Sequence, residues 1–325
     1  MGLRYTNREN DMNLRPTLVH TPVFAGLLLL ISGFGPAGSA ADPAATPDQD
    51  PYPFEVEVHG TGDPMILIPG MTSSGAVWDA TVAHFSDRYE LHVLTLAGFA
   101  GVPPVETERF LPGQRDAIIE YVREEGLERP VVMGHSLGGF LAYSIAATAP
   151  DLVGPVVAVD GVPFLPALQQ ADADESTMAG QAEQMADFYA SMSEEQMRQQ
   201  SRMAAQRMVG DGAWVDTIAA WGARSDGPTA GRAYAELMTT DLRDEAAEIT
   251  SPLLLVMAGG GMSAAARDRT REAYEAQIAE VPHGRVVVAG EARHFVMLDD
   301  PEFLHEAVEE FLAGSGAVPT PGANR

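Results

Sequence analysis

The chain has 325 residues, of which 46% are hydrophobic, enough for one large domain with an insertion or for two small domains. Its 46 acidic and 20 basic residues give a formal net charge of -26, and a surface this acidic repels nucleic acids and anionic lipids. Every basic residue is an arginine, and the sequence has neither lysine nor cysteine. This composition excludes a Walker-type phosphate loop, Schiff-base chemistry, a thiol nucleophile, thiolate metal sites and disulfides.

The first 41 residues have the order of a secretory signal peptide. Arg15 precedes an apolar run at residues 23–31, which leads into the small residues 38–41. The run is shorter than the roughly 20 residues of a membrane span, so a cleaved signal is favoured over an uncleaved anchor. Met12 is an alternative start. After a Pro/Asp/Ala linker at residues 42–53, we expect a periplasmic or secreted protein without stable membrane association.

Residues 54–161 alternate short apolar runs with helical patterns. Strands are predicted at residues 55–58, 65–68, 91–96, 131–133 and 156–159, and helices at residues 77–85, 112–125 and 137–148. The second helix is predicted to begin at Pro112, because proline favours the first helical position. This alternation is typical of a parallel sheet covered by helices.

The alternation of strand and helix patterns stops at residues 162–250, which contain no buried strand pattern. This segment is rich in Ala, Gln and Met and has helical stretches at 181–192 and 194–208, whose methionines are expected to pack in a core. The sheet resumes with a strand at 253–257, a helix at 264–279, a strand at 286–288 and a helix at 301–312. The pattern predicts an α/β core at 54–161 and 251–314, a helical cap at 162–250, and a flexible tail at 315–325.

Residues 134–138 read Gly-His-Ser-Leu-Gly and form a G-x-S-x-G motif between a predicted buried strand and a predicted helix. Small residues beside the serine allow a sharp turn that pushes its hydroxyl out over the sheet edge, at the positive end of the helix. In this setting the motif resembles the α/β-hydrolase superfamily, and the resemblance covers most of residues 54–312. It implies the α/β-hydrolase fold, a mostly parallel sheet with helices on both faces and an inserted helical cap.

The resemblance implies that Ser136 is the nucleophile and that a histidine near the C-terminus is its general base. His294 has the matching position, after the last predicted strand and before the last predicted helix. His283 and His305 are its rivals, although the first precedes that strand and the second lies inside that helix. His135, within the motif itself, is expected to have a structural role.

The acid departs from the family's common pattern, which places an aspartate shortly after the strand that follows the cap. Here no carboxylate follows that strand until Asp268. Asp160, however, ends the strand before the cap, a position that some superfamily members use for the acid. An unpaired carboxylate at the tip of a buried strand is costly, so Asp160 needs a partner there. Asp160 is the favoured acid and Asp268 the alternative.

An oxyanion hole requires two backbone N–H groups aimed at the developing negative charge. The resemblance implies one from Leu137, the residue after the nucleophile. It implies the other from Met71, in the loop after the second strand, where Pro69 and Gly70 replace the family's usual His-Gly. Because the donor is a backbone group, Met71 can supply it without that histidine.

We therefore expect a serine hydrolase that cleaves a small or medium carboxylic ester through an acyl-enzyme on Ser136. The same triad serves perhydrolases, lactonases, thioesterases and aminopeptidases, so these activities stay open. A non-catalytic, receptor-like ligand-binding protein is the alternative from another class. No spacing indicates a metal site or a cofactor, and the expected partner is a small acyl substrate rather than nucleic acid. The sequence does not indicate an oligomeric state.

Overall fold

The computed structural model describes residues 52–315. The predicted signal peptide, most of the linker and residues 316–325 lie outside this range. In the described residues, seven strands form one sheet: β1 Phe54–Gly60, β2 Asp63–Ile68, β3 Tyr89–Leu96, β4 Val131–His135, β5 Val156–Val159, β6 Leu253–Ala258 and β7 Gly284–Ala289. Their order is β1-β3-β2-β4-β5-β6-β7, and every pairing is parallel except that of β1 with β3.

The central strands are apolar along their whole length because both faces of the sheet are covered. All residues of β4, β5 and β6 are buried. Alternate side chains enter two separate apolar clusters, with Val132 in one and Met133 in the other. The predicted fold class, a mostly parallel sheet with helices on both faces, is confirmed.

Within residues 52–315, six helices belong to the α/β part: α1 Asp79–Phe85, α2 Phe110–Glu124, α3 Leu137–Thr148, α9 Ala264–Gln277, α10 Val296–Asp299 and α11 Pro301–Gly314. Helix α2 begins two residues before its predicted start at Pro112. The reason is a distant partner, since the backbone amides of Phe110 and Leu111 each donate to the Glu236 carboxylate at 2.7 Å. That carboxylate occupies two N–H groups that the helix itself leaves unpaired.

The segment between β5 and β6 is helical. It contains α4 Glu175–Ala190, α5 Glu194–Met208, α6 Val215–Ala223, α7 Gly227–Thr239 and α8 Arg243–Ala246. Helix α4 starts six residues before its predicted start because Asp174 and Thr177 form a capping box. The methionines are less buried than expected: Met197 is 2% exposed, but Met203 is 52% and Met208 40% exposed.

The strand register brings four strand ends to one edge of the sheet. Ile68 lies beside Gly134, His135 beside Val159, and Val159 beside Val256. The residues that follow β2, β4, β5 and β6 therefore meet at the carboxyl edge, where ligands bind in open parallel sheets. None of the helices within residues 52–315 has the length and hydrophobicity that a membrane span requires.

Candidate active site

Ser136 occupies the turn between β4 and α3. Its backbone has φ 53° and ψ -116°, a combination that a residue with a side chain adopts only under strain. Two hydrogen bonds hold it there: the Ser136 amide donates to the Val159 carbonyl at 2.9 Å, and the Phe140 amide donates to the Ser136 carbonyl at 3.0 Å. The turn has the geometry of a nucleophile elbow.

The glycines of the motif make this turn possible. A Cβ on Gly134 would collide with the Gly138 carbonyl, and a Cβ on Gly138 would collide with the Ile68 carbonyl at the end of β2. A Cβ on Gly161 would meet the Ser136 carbonyl. Helix α3 therefore starts in backbone contact with its neighbours, which only glycine at these positions allows.

His294 follows β7 and is oriented by Asp160. The Nδ1 atom lies 2.6 Å from Asp160 Oδ2, and the side chains of His294 and Asp160 are 24% and 11% exposed. Because an ionised carboxylate only accepts hydrogen bonds, Nδ1 carries the proton and donates. The Nε2 atom of the neutral ring is then unprotonated and has the capacity to act as a base.

The other oxygen of Asp160 is also occupied. Oδ1 accepts hydrogen bonds from the Ala258 amide and from the Tyr274 hydroxyl, each at 2.9 Å. Burial opposes ionisation, but the hydrogen bond and charge of His294, followed by these two donors, outweigh it and lower the pKa of the Asp160 carboxyl. The carboxylate is thus ionised at neutral pH. Asp268 lies exposed on α9, away from this hydrogen-bonded pair.

His135 connects the elbow to the histidine loop. Its Nε2–H donates to the His294 backbone carbonyl at 3.0 Å, and its ring lies 4.6 Å from the His294 ring and 4.7 Å from that of Phe295. Burial, followed by repulsion from His294, lowers the pKa of His135 well below its ordinary value, so its ring stays neutral. A neutral, buried ring in hydrogen-bond contact with the loop fits the structural role expected from the sequence.

The two rival histidines lie elsewhere. His305 is buried within α11 and contacts Thr81 Oγ1 at 3.4 Å, whereas His283 is exposed immediately before β7. Neither lines the cavity that contains Ser136 and His294.

That cavity has a volume of about 120 Å³ and lies between the sheet edge and α5. Its α/β side includes Ser136, His294 and Met71. One face of α5 lines the opposite side, with Gln200, Ser201, Ala204, Ala205 and Met208. The lining is largely apolar near Met208, Ile218 and Phe295. The volume lies below the roughly 300–1,000 Å³ of typical ligand pockets, so the cavity has room for only a small group in contact with Ser136.

Of the two residues predicted to supply the oxyanion donors, Met71 lines the same cavity as Ser136 and Leu137 directly follows it. Gly70 brings the Met71 loop against the elbow, since a Cβ at this position would lie 2.9 Å from His135 Nδ1 and 3.3 Å from Ser136 Cβ. The Leu137 amide is the first of α3, where helical N–H groups have no partner within the helix. Within residues 52–315 neither the Met71 nor the Leu137 amide donates to another protein group.

Residues 52–315 contain no cluster of three or more His, Asp or Glu side chains that could hold a metal ion. The polar groups at the sheet edge instead form a hydrogen-bonded series from Tyr274 through Asp160 to His294. This arrangement has the capacity for nucleophilic catalysis, with a strained serine and an oriented imidazole lining one cavity.

The sequence profile of the alpha/beta hydrolase family matches residues 65–307. The chain belongs to this family. A pimeloyl-[acyl-carrier protein] methyl ester esterase of Aliivibrio salmonicida is 31% identical over 107 residues, which are 33% of this chain and 39% of that protein. An (E)-2-((N-methylformamido)methylene)succinate hydrolase of Acinetobacter baylyi is 23% identical over 257 residues, 78% of this chain and 91% of that protein.

The solved structure of a thermophilic esterase from Thermogutta terrifontis matches with a TM-score of 0.68 and 18% identity. The match covers 81% of this chain and 93% of that one. Together with the family, the relatives support hydrolysis as the reaction class of this alpha/beta hydrolase.

Two features of this hydrolase's site were missed at the sequence level. Tyr274 was not singled out, because a tyrosine within a polar helix carries no sign of the strand end that it contacts. In α5 only the methionines were considered, as packing residues, and Gln200 and Ser201, which line the cavity, were not singled out. The signal for α5 was present in its spacing, since residues 200, 204 and 208 recur on one helical face.

Proposed function

We propose that this protein is a serine hydrolase that cleaves a small carboxylic ester through an acyl-enzyme on Ser136. Ser136 Oγ attacks the acyl carbonyl while His294 Nε2 takes the hydroxyl proton. Asp160 fixes the imidazole tautomer and stabilises the imidazolium. The Met71 and Leu137 amides stabilise the oxyanion of the tetrahedral intermediate.

The second half of the reaction reuses the same groups. As the intermediate collapses, the imidazolium returns its proton to the leaving alkoxide, and the alcohol departs. His294 then takes a proton from water, which attacks the acyl-enzyme, and Ser136 regains its proton as the carboxylic acid leaves. Atoms and charges balance without any further reagent.

The observation that carries the proposal is the 2.6 Å contact between His294 Nδ1 and Asp160 Oδ2 beside a strained Ser136 that lines the same cavity. The strained backbone of Ser136 and the largely buried pair of His294 and Asp160 lie together at one edge of the sheet. Packing alone does not require this arrangement. The small volume and apolar lining favour a short acyl group.

A fluorophosphonate probe tests the nucleophile. We expect stoichiometric labelling at Ser136, and we expect Ser136→Ala to abolish labelling and to lower kcat on a p-nitrophenyl ester by on the order of 10⁴-fold or more. Ser144→Ala is the matched control, because Ser144 is a buried serine of α3, the helix that follows Ser136, and does not line the cavity. Full esterase activity in Ser136→Ala would refute the mechanism, and a protein that never labels would favour the receptor-like alternative.

We also propose that the hydrolase acts in the periplasm or outside the cell. The support is the order of residues 1–41, with a basic start, a short apolar run and small residues before the linker. Expression of the full chain followed by N-terminal sequencing of the secreted fraction tests this. A mature protein starting near residue 42 is expected, and retention of an uncleaved chain in the cytoplasm would contradict the proposal.

A further inference from the structure

The shell around the Asp160 carboxylate contains more than the histidine. Oδ2 faces His294, while Oδ1 accepts from the Ala258 amide at the end of β6 and from the Tyr274 hydroxyl on α9. Each oxygen therefore has a fixed direction. A carboxylate held at one oxygen only would be free to rotate about its terminal torsion, which is broad and soft.

The two Oδ1 donors come from β6 and from α9, the helix that follows it. No carboxylate follows β6 until the exposed Asp268, yet Ala258 at the end of β6 and Tyr274 on α9 both donate to the carboxylate at the end of β5. Asp160 itself has φ 48°, in the left-handed region that few residues with a side chain adopt, although aspartate does so more often than most. The segment after β6 thus anchors the acid instead of supplying it.

We propose that Tyr274 is a positioning residue of the hydrolase: its hydroxyl holds the Asp160 carboxylate in the orientation that directs His294 toward Ser136. This inference rests on the proposed function. Tyr274 does not line the cavity that contains Ser136, so it acts through Asp160 and not on the substrate.

The environment of Tyr274 suits that role. The residue is 5% exposed and packs in the apolar cluster that contains Leu255 and Ile278. Burial, followed by the negative charge of Asp160, raises the pKa of the Tyr274 hydroxyl well above its ordinary value. The hydroxyl therefore stays protonated at neutral pH, and it remains a donor.

Other titratable side chains lie near Tyr274, Asp160 and His294, and a test of Tyr274 must leave these side chains unchanged. Arg207 of α5 and Arg293 of the histidine loop line an open cavity beside Asp160 and Tyr274. His135 lies behind His294 and is neutral, and Tyr143 of α3 is buried close to Tyr274. None of these groups is altered by removing the Tyr274 hydroxyl.

Tyr274→Phe is the direct test, since it keeps the ring and deletes one hydrogen bond to a charged group. We expect kcat on a p-nitrophenyl ester to fall about tenfold, with KM within about twofold of the parent value. The acid limb of the kcat/KM pH profile should move to higher pH by about 0.5 unit. The acid limb moves to higher pH because the Asp160 carboxylate, with one hydrogen-bond donor fewer, stabilises the His294 imidazolium more strongly.

Tyr143→Phe is the matched control. It removes a hydroxyl from a neighbouring buried tyrosine that bonds the Gly161 carbonyl at 3.4 Å rather than Asp160. Neither the pH profile nor kcat should change in this variant. In an Asp160→Asn background, Tyr274→Phe should have little further effect on kcat, because the two residues act as one unit.

A second readout needs no substrate. The proton between His294 Nδ1 and Asp160 should give a downfield ¹H resonance in the uninhibited protein, and Tyr274→Phe should shift it while Tyr143→Phe does not. An unshifted resonance together with an unchanged pH profile in Tyr274→Phe would overturn the inference and leave the esterase proposal intact. The esterase proposal fails separately, by absence of Ser136 labelling, while the resonance still tests the contact.

Discussion

At the residue scale, Asp160→Asn distinguishes the two aspartates that the sequence left open as the acid. An asparagine of the same shape donates to His294 Nδ1 through its amide and so favours the wrong imidazole tautomer. We expect kcat to fall on the order of 10⁴-fold while the circular dichroism spectrum stays unchanged. Steady-state kinetics on the ester used for Ser136 provides the measurement.

Asp268→Asn is the control for that substitution. Asp268 is exposed on α9, and the Nδ1 atom of His294 is already occupied by Asp160. The control should keep the parent kcat and KM. A large loss in Asp268→Asn with none in Asp160→Asn would move the acid to α9 and require a rearranged histidine loop.

The residues at strand ends could be predicted from the sequence because the sheet fixes where they go. Ser136 and Asp160 directly follow buried strands that pair in parallel, so their positions at one edge follow from the topology alone. Tyr274 could not be predicted in this way, since its contact depends on how α9 rotates and packs. Helical periodicity predicts which face of a helix is buried, but it does not predict which polar atom that face contacts.

At the scale of elements, α5 is the helix that lines the cavity opposite Ser136. We expect Met208→Ala to enlarge the cavity and to shift preference toward longer acyl chains. The ratio of kcat/KM for pentanoate over butyrate esters should rise about fourfold, the factor that about 0.8 kcal/mol for one buried methylene provides. A p-nitrophenyl ester series of increasing acyl length measures this ratio.

Met203→Ala is the matched control for α5. Met203 belongs to the same helix and is 52% exposed, but it does not line the cavity. Its chain-length profile should equal that of the parent protein. Identical profiles for Met208→Ala and the parent would show that α5 does not contact the acyl group.

The boundaries of some helices are set by contacts with residues far away in the sequence and not by local sequence signals. The start of α2 is set by Glu236 of α7, more than one hundred residues away in the chain, and the sequence near Pro112 has no record of it. The bounds of α3 and α5, in contrast, were predicted to the residue. The Ser193 capping box explains the agreement for α5, because that signal is local.

At the scale of the whole molecule, sheet order and strand register gather the site from distant parts of the chain. Met71 follows β2, Ser136 follows β4, and His294 follows β7, yet all three line one cavity. The sequence predicts this convergence because connections between parallel strands are right-handed crossovers with few alternatives. It does not predict the volume of the cavity, which depends on how the helices between β5 and β6 pack.

Stability toward acid is a property of the folded molecule as a whole, and His305 contributes to it. Burial, followed by the neighbouring His84, lowers the pKa of His305 from 6.5 to about 4. Above pH 6.5 the residue is neutral in both the folded and the unfolded state. Between pH 6.5 and about 4 the unfolded state binds the proton first, so the free energy of unfolding falls as the pH falls.

His305→Gln removes this proton uptake. The free energy of unfolding should therefore fall less steeply between pH 7 and pH 4 than in the parent protein, by about 3 kcal/mol at most. Urea unfolding followed by circular dichroism at several pH values measures it. His283→Gln is the control, since His283 is exposed and should leave the decline as in the parent protein. An equal decline in His305→Gln and the parent would mean that other groups, such as the buried His92 and His135, account for the acid sensitivity.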